Sequence, residues 1–162
     1  MALSAGVAVA AAPTAAANSP IGSCYGGDFR WTAVDGGITM TPQLLTFASV
    51  GRLWGCEGVS GITHGKFTGV HVAWSDCMHP ADGPLTVDII WSNGATSKLE
   101  GPWPVGMMQP TVGQLQVMNG MGEGSRVKVN AWYEMMTPEQ INGCMAQGIS
   151  TGVGRMTAEI VA

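Results

Sequence analysis

The chain has 162 residues, only 11% of them charged, and a formal net charge of −4. Its seven Lys and Arg residues are scattered from Arg30 to Arg155 with no visible cluster. That argues against nucleic acid or an anionic membrane as a partner, since binding phosphates requires grouped positive charge. With 24 Gly, 9 Pro and so few charges, the composition also argues against long solvent-facing helices and suits one β domain.

Met1 to Ala17 carries no charge, holds an Ala/Val/Leu run as far as Ala12 and ends in Ala15-Ala16-Ala17. This is the apolar region and small-residue cleavage site of a secretory signal peptide. The basic start of such a peptide is missing, the first basic residue being Arg30, so residues 1–17 are expected to be a signal truncated at its N-terminus. The run breaks at Pro13, well short of the roughly 20 apolar residues of a membrane helix. No later segment is longer, so no integral membrane span is expected. Residues 18–162 then form a single secreted, extracellular domain.

Beyond Cys24, a loop at Asp35-Gly36-Gly37 and Cys56, period-2 alternation dominates. Val70, Val72 and Trp74 alternate with His71 and Ala73, which places His71 on the polar face of its strand. After Cys77 and a loop at Asp82-Gly83-Pro84, the residues Leu85, Val87, Ile89 and Trp91 alternate with Thr86, Asp88 and Ser92, with Ile90 as an exception. Asn93-Gly94 predicts a two-residue type I′ hairpin. Val112, Leu115 and Val117 mark a further strand, followed by Gly120 to Gly124. That segment echoes Gly65 to Gly69, and both are expected to be bends with positive φ at their glycines. Val127, Val129, Ala131 and Tyr133 alternate with Arg126, Lys128, Asn130 and Trp132. A short helix is predicted from an N-cap at Thr137, with Pro138 at N1 and Gln140 as its capping-box partner, ending at Gly143. Met156, Ala158 and Ile160 form the apolar face of the last strand.

One apolar and one polar face per strand is the mark of antiparallel sheets buried on a single side. The predicted fold is an all-β antiparallel sandwich of immunoglobulin-like type, with a closed β-barrel as the alternative. Four cysteines in an exported chain predict two disulfides. Of the three possible connectivities, Cys56–Cys77 is favoured because the two lie on apparent successive strands, leaving Cys24–Cys144. The first bridge would contribute about 3 kcal/mol by closing a loop of roughly 20 residues.

From Ile38-Thr39-Met40-Thr41-Pro42 onward the chain resembles small secreted actinobacterial proteins of uncharacterised function. The matching positions are Cys56, Gly65 to Gly69, Cys77, Ile89 to Ser97, Gly120 to Gly124, and Cys144 with Gly148. These are turns and cysteines, and the resemblance implies an immunoglobulin-like or similar β-sandwich with no catalytic residue to transfer.

Chemistry-bearing groups are sparse. His64, His71 and His79 lie within sixteen residues, and are expected to be exposed or loop histidines rather than metal ligands. Among the methionines, only Met118-Asn119-Gly120-Met121 has a spacing that suits Cu(I), and it lacks a histidine; methionine is read as adaptable core filler. No metal and no cofactor are expected. Trp74 and Trp91 are placed in the core. Trp132, on the polar side of its strand, and Trp103, between Pro102 and Pro104, are the candidate ligand-binding aromatics. No nucleophile elbow, phosphate loop or carboxylate pair stands out. The expected role is a secreted, non-catalytic binding or cell-envelope interaction protein. Its alternatives are a carbohydrate-binding module using exposed aromatics and, lower, a small extracellular hydrolase or hydrolase inhibitor.

Overall fold

The structure, a computed structural model, describes residues 21–79, 81–106 and 108–162. The signal-peptide segment 1–17 lies outside the described residues. The elements are β1 (Gly22–Ala33), β2 (Gln43–Glu57), β3 (Gly65–Ser75), β4 (Pro84–Trp91), β5 (Thr96–Pro102), β6 (Thr111–Gly120), β7 (Arg126–Tyr133), α1 (Pro138–Met145) and β8 (Thr151–Val161).

Each strand pairs antiparallel with the next, and β1 pairs with β8, so the eight strands close into a barrel. This corrects the expected immunoglobulin-like sandwich in favour of its alternative. Period-2 alternation is common to both architectures; what separates them is the long-range pairing of the first and last strands, which leaves no free edge. The closing seam runs from Gly22 opposite Ile160 to Thr32 opposite Thr151, with a bulge between Cys24 and Asp28. At that bulge the inward residues of β1 change parity, from Gly22 and Cys24 to Gly27, Phe29 and Ala33.

The interior is filled by Phe29, Leu53, Ile89, Trp91, Leu99, Trp103, Leu115, Val129 and their neighbours. Rings in the wall pack over glycines on adjacent strands. A Cβ on Gly154 would lie 2.3 Å from Phe29, one on Gly51 2.3 Å from Phe67, one on Gly152 2.5 Å from Trp31, and one on Gly26 2.2 Å from Trp54. The glycine richness is thus a packing requirement, because the flat ring occupies the space a side chain would take.

The alternation in β4 and β7 is as expected, with Val87, Ile89, Trp91, Val127, Val129 and Ala131 buried. In β3 it is inverted. His71 and Ala73 face the interior, whereas Val70 and Trp74 are exposed. Val112 likewise points outward. The Asn93-Gly94 turn is a three-residue connection: Gly94 N–H donates to the Trp91 carbonyl, Trp91 N–H donates to that of Ala95, and Gly94 takes φ +84°. Positive φ occurs at Gly120, Gly122 and Gly124, but not at Gly65 or Gly69, which are ordinary strand residues.

Both disulfides pair differently from the expectation. Cys24 bonds Cys56, its direct cross-strand partner, and Cys77 bonds Cys144. The paired neighbour of Cys56 is set by the β1–β2 register, which brings Cys24 within 3.9 Å Cα to Cα. Cys77 lies beyond the end of β3, at the opposite end of the barrel.

Candidate functional site

Long loops gather at one end of the barrel: 34–42, 76–83, 103–110 and 134–150, the last containing α1. They are tied to one another. Ile38 and Ile149 form a bridge, Cys77 N–H donates to the Thr39 carbonyl, and the Cys77–Cys144 bond anchors α1. The helix needs that anchor because none of its residues is buried. Its start is as predicted, with the Thr137 hydroxyl accepting the Gln140 N–H at 3.2 Å, although it continues past Gly143 to Met145.

Under these loops lies a mouth cavity of about 280 Å³, and inside the barrel a second cavity of about 110 Å³. Trp31, Phe47, His71 and Tyr133 line both, so the two cavities adjoin at this collar. Phe47 packs edge-on against Trp31 and tilts over the His71 ring, with centroids 5.5 and 6.0 Å apart. Trp103 donates its Nε1–H to the Tyr133 hydroxyl at 2.8 Å. Burial pushes the Tyr133 phenol up to about 12, against the opposing effect of that bond, so it stays neutral.

His71 is the polar exception in this collar. It is 7% exposed, and its Nε2 has no hydrogen-bond partner. Burial lowers its pKa, opposed by backbone hydrogen bonding to Trp103 and Gly83 and by the charge of Asp82, so the neutral ring is favoured. An unpartnered buried ring nitrogen costs about 1–3 kcal/mol. A ligand hydroxyl, which can both give and take a hydrogen bond, would satisfy it in either tautomer.

Of the other histidines, His64 lies at the far end, exposed and bonded to the Thr63 hydroxyl, while His79 sits at the mouth. The His79 Nδ1 is 2.9 Å from an Asp76 carboxylate oxygen. Backbone N–H groups of Met78 and His79 also donate to Asp76. Chiefly through the Met78 bond, its carboxyl is held below the usual range.

The two sequence-proposed aromatics do not meet. Trp132 is outward and 43% exposed on β7, opposite Arg155, whereas Trp103 is 3% exposed and belongs to the interior wall. Trp103 is therefore corrected from an exposed loop residue to a core residue; its indole is drawn inward by the Tyr133 hydroxyl and by Gly113, over which it packs. Trp74, assigned to the core from sequence, is 61% exposed. The basic residues are also less dispersed than their spacing suggests. Arg30, Arg52, Lys66 and Arg155 share one outer groove with Asp28 and Glu134, and Arg52 pairs with Asp28 at 3.1 Å.

No family model matches the chain. No curated protein matches it either. Among solved structures it is similar to the pterocarpan synthase dirigent protein, with a TM-score of 0.50 and 13% sequence identity over 94% of this chain and 98% of that one. At this identity the likeness is one of fold, and it agrees with the closed barrel.

The sequence missed His71, Phe47, Trp31 and Tyr133 as one constellation. The available signal was a histidine alternating with Val70, Val72 and Trp74 in β3, which makes sense only once the barrel decides which face is inside.

Proposed function

We propose that this protein is exported and binds a small, uncharged, largely apolar molecule carrying a hydroxyl, holding it in the barrel without turning it over. The observation that carries this reading is the unpartnered Nε2 of buried His71 between two adjoining aromatic-walled cavities. Ligand sites are characteristically apolar clefts with a few placed polar groups, and barrel mouths are a recurrent location. The interior void alone is smaller than the roughly 150 Å³ that holds benzene in an engineered core. With the mouth added, a ligand of about two fused rings fits. The similar barrel bears the name of a pterocarpan synthase, and so supports small-molecule handling on this architecture. Two disulfides support an oxidising, extracellular setting. No helix among the described residues is long and apolar enough to cross a membrane.

The test pairs a bicyclic alcohol such as tetralol with its hydrocarbon, tetralin, reading melting temperature and tryptophan fluorescence. Tetralol is expected to stabilise the wild type more than tetralin does, and His71→Leu should erase that difference. Failure of both compounds to shift melting, or equal tetralol binding by His71→Leu, would overturn the reading.

A further inference from the structure

The loops at the mouth bring together methionines that are far apart in sequence. Met40 lies between β1 and β2, Met78 follows β3, Met135 and Met136 follow β7, and Met145 ends α1; all five line the mouth cavity. None of them lines the interior cavity. Met118 and Met121, the pair with suggestive spacing, lie at the other end of the barrel, around the β6–β7 turn.

A thioether is an uncharged, soft donor that suits Cu(I) and Ag(I) and is a poor ligand for zinc, magnesium or calcium. His79 lines the same cavity. Because a carboxylate only accepts, the 2.9 Å contact with Asp76 puts a proton on His79 Nδ1 and leaves Nε2 as the ring nitrogen free to serve as a ligand. A carboxylate orienting the far nitrogen is the usual support of a metal-binding imidazole. Asp76 is itself fixed, with its side chain 7% exposed.

Met136 is a third pointer. It is the non-glycine residue with positive φ among the described residues, at +62°. Such a conformation is disfavoured for a residue with a side chain and concentrates at functional sites. The Met135 sulfur already accepts from Gln109 Nε2 at 3.5 Å, which leaves Met40, Met78, Met136 and Met145 as the exposed thioethers at the mouth. The competing donor sets are missing: no group of three or more His, Cys, Asp or Glu suited to a metal occurs among the described residues, and no cysteine is free.

We propose that the barrel mouth is a binding site for one Cu(I) ion, held by His79 Nε2 and by thioethers drawn from Met40, Met78, Met136 and Met145. The site is open to the medium, as a protein that takes up or passes on copper outside the cell requires. It uses none of the side chains of the His71 site, although both border the mouth cavity, and each has its own probe, so either reading can fail without the other.

The test uses the full oxidised chain. Silver(I), a surrogate that needs no reductant, is titrated by calorimetry. Cu(I) is then titrated anaerobically against bathocuproine disulfonate, with the disulfides checked by intact mass. One equivalent is expected, with sulfur and nitrogen scatterers in X-ray absorption. Met136→Leu/Met145→Leu and His79→Gln should each weaken binding at least tenfold. Met118→Leu, at the far end, should bind as the wild type. Leucine nearly conserves the volume of methionine, and these side chains are exposed, so folding is retained. The spectrum of the wild type decides independently of any variant. No retained equivalent, a shell without sulfur, or unchanged affinity in the mouth variants would overturn the proposal.

Discussion

His71 shows how one side chain can cost stability and serve binding at once. A histidine whose pKa is lowered in the fold binds fewer protons there than in the unfolded chain. Stability is therefore full above the ordinary histidine value near 6.5 and falls as pH drops through that value toward the lower folded pKa. His71→Leu should remove this part of the acid sensitivity and leave the protein as stable as the wild type at pH 7.5 or about 1 kcal/mol more so. Urea unfolding of both proteins at pH 7.5 and 5.0 checks it; an identical pH dependence would show that His71 is not the group responsible. The glycines in the wall make the opposite case, where adding atoms harms. Gly154→Ala would set a methyl 2.3 Å from the Phe29 ring and 2.7 Å from the Trp132 carbonyl. Relief requires moving Phe29 off its edge-on contact with Tyr133, whose ring centroid is 5.0 Å away. The expected loss is about 1–3 kcal/mol, read as a lowered melting temperature with reduced near-ultraviolet dichroism.

Among the elements, α1 and the barrel are held by different means. The helix buries none of its residues and is fastened by Cys77–Cys144, whereas Cys24–Cys56 joins two strands that already share a ladder. On loop entropy the two bonds are similar, each about 4 kcal/mol for separations of 67 and 32 residues. Their local consequences differ. Cys77→Ser/Cys144→Ser should raise amide exchange across 134–150 while β1 to β8 stay protected; Cys24→Ser/Cys56→Ser should leave α1 protected and loosen the β1–β2 seam. Exchange mapped by mass spectrometry separates the two, and a uniform rise in either variant would contradict this division. The same contrast explains what could be read in advance. In β7, charged and apolar residues alternate cleanly, so its inward face was legible, and Thr137-Pro138 announced the helix. In β1 and β2, both faces carry apolar or aromatic groups, such as Leu44, Val50 and Trp54 outside, so alternation gave no strand boundaries. In β3 the exposed Val70 and Trp74 inverted the reading and hid His71. Cysteine pairing was illegible because it depends on strand register and on where loops meet, neither of which is local.

Taken as a whole, the molecule separates its charges. The groove on the outer wall collects Arg30, Arg52, Lys66 and Arg155, whereas among the described residues no Lys or Arg lines either cavity. The acidic residues at the mouth are Asp76 and Glu134, while Glu57, at the far end, is exposed and accepts from the Tyr25 hydroxyl. His71 is held neutral by burial, and so supplies no countercharge. A carboxylate drawn into the barrel would lose its hydration without gaining an ion pair, at a cost of several kcal/mol, and would meet like charge on entry. A carboxylic acid on the tetralin skeleton should therefore bind at least tenfold more weakly than tetralol at pH 7.5, a difference of about 1.4 kcal/mol or more. Competition between the two, followed by tryptophan fluorescence, measures the ratio directly. Preferential binding of the carboxylate would mean that a cationic group reaches the cavity, and the barrel would then be a receptor for anions instead of neutral alcohols.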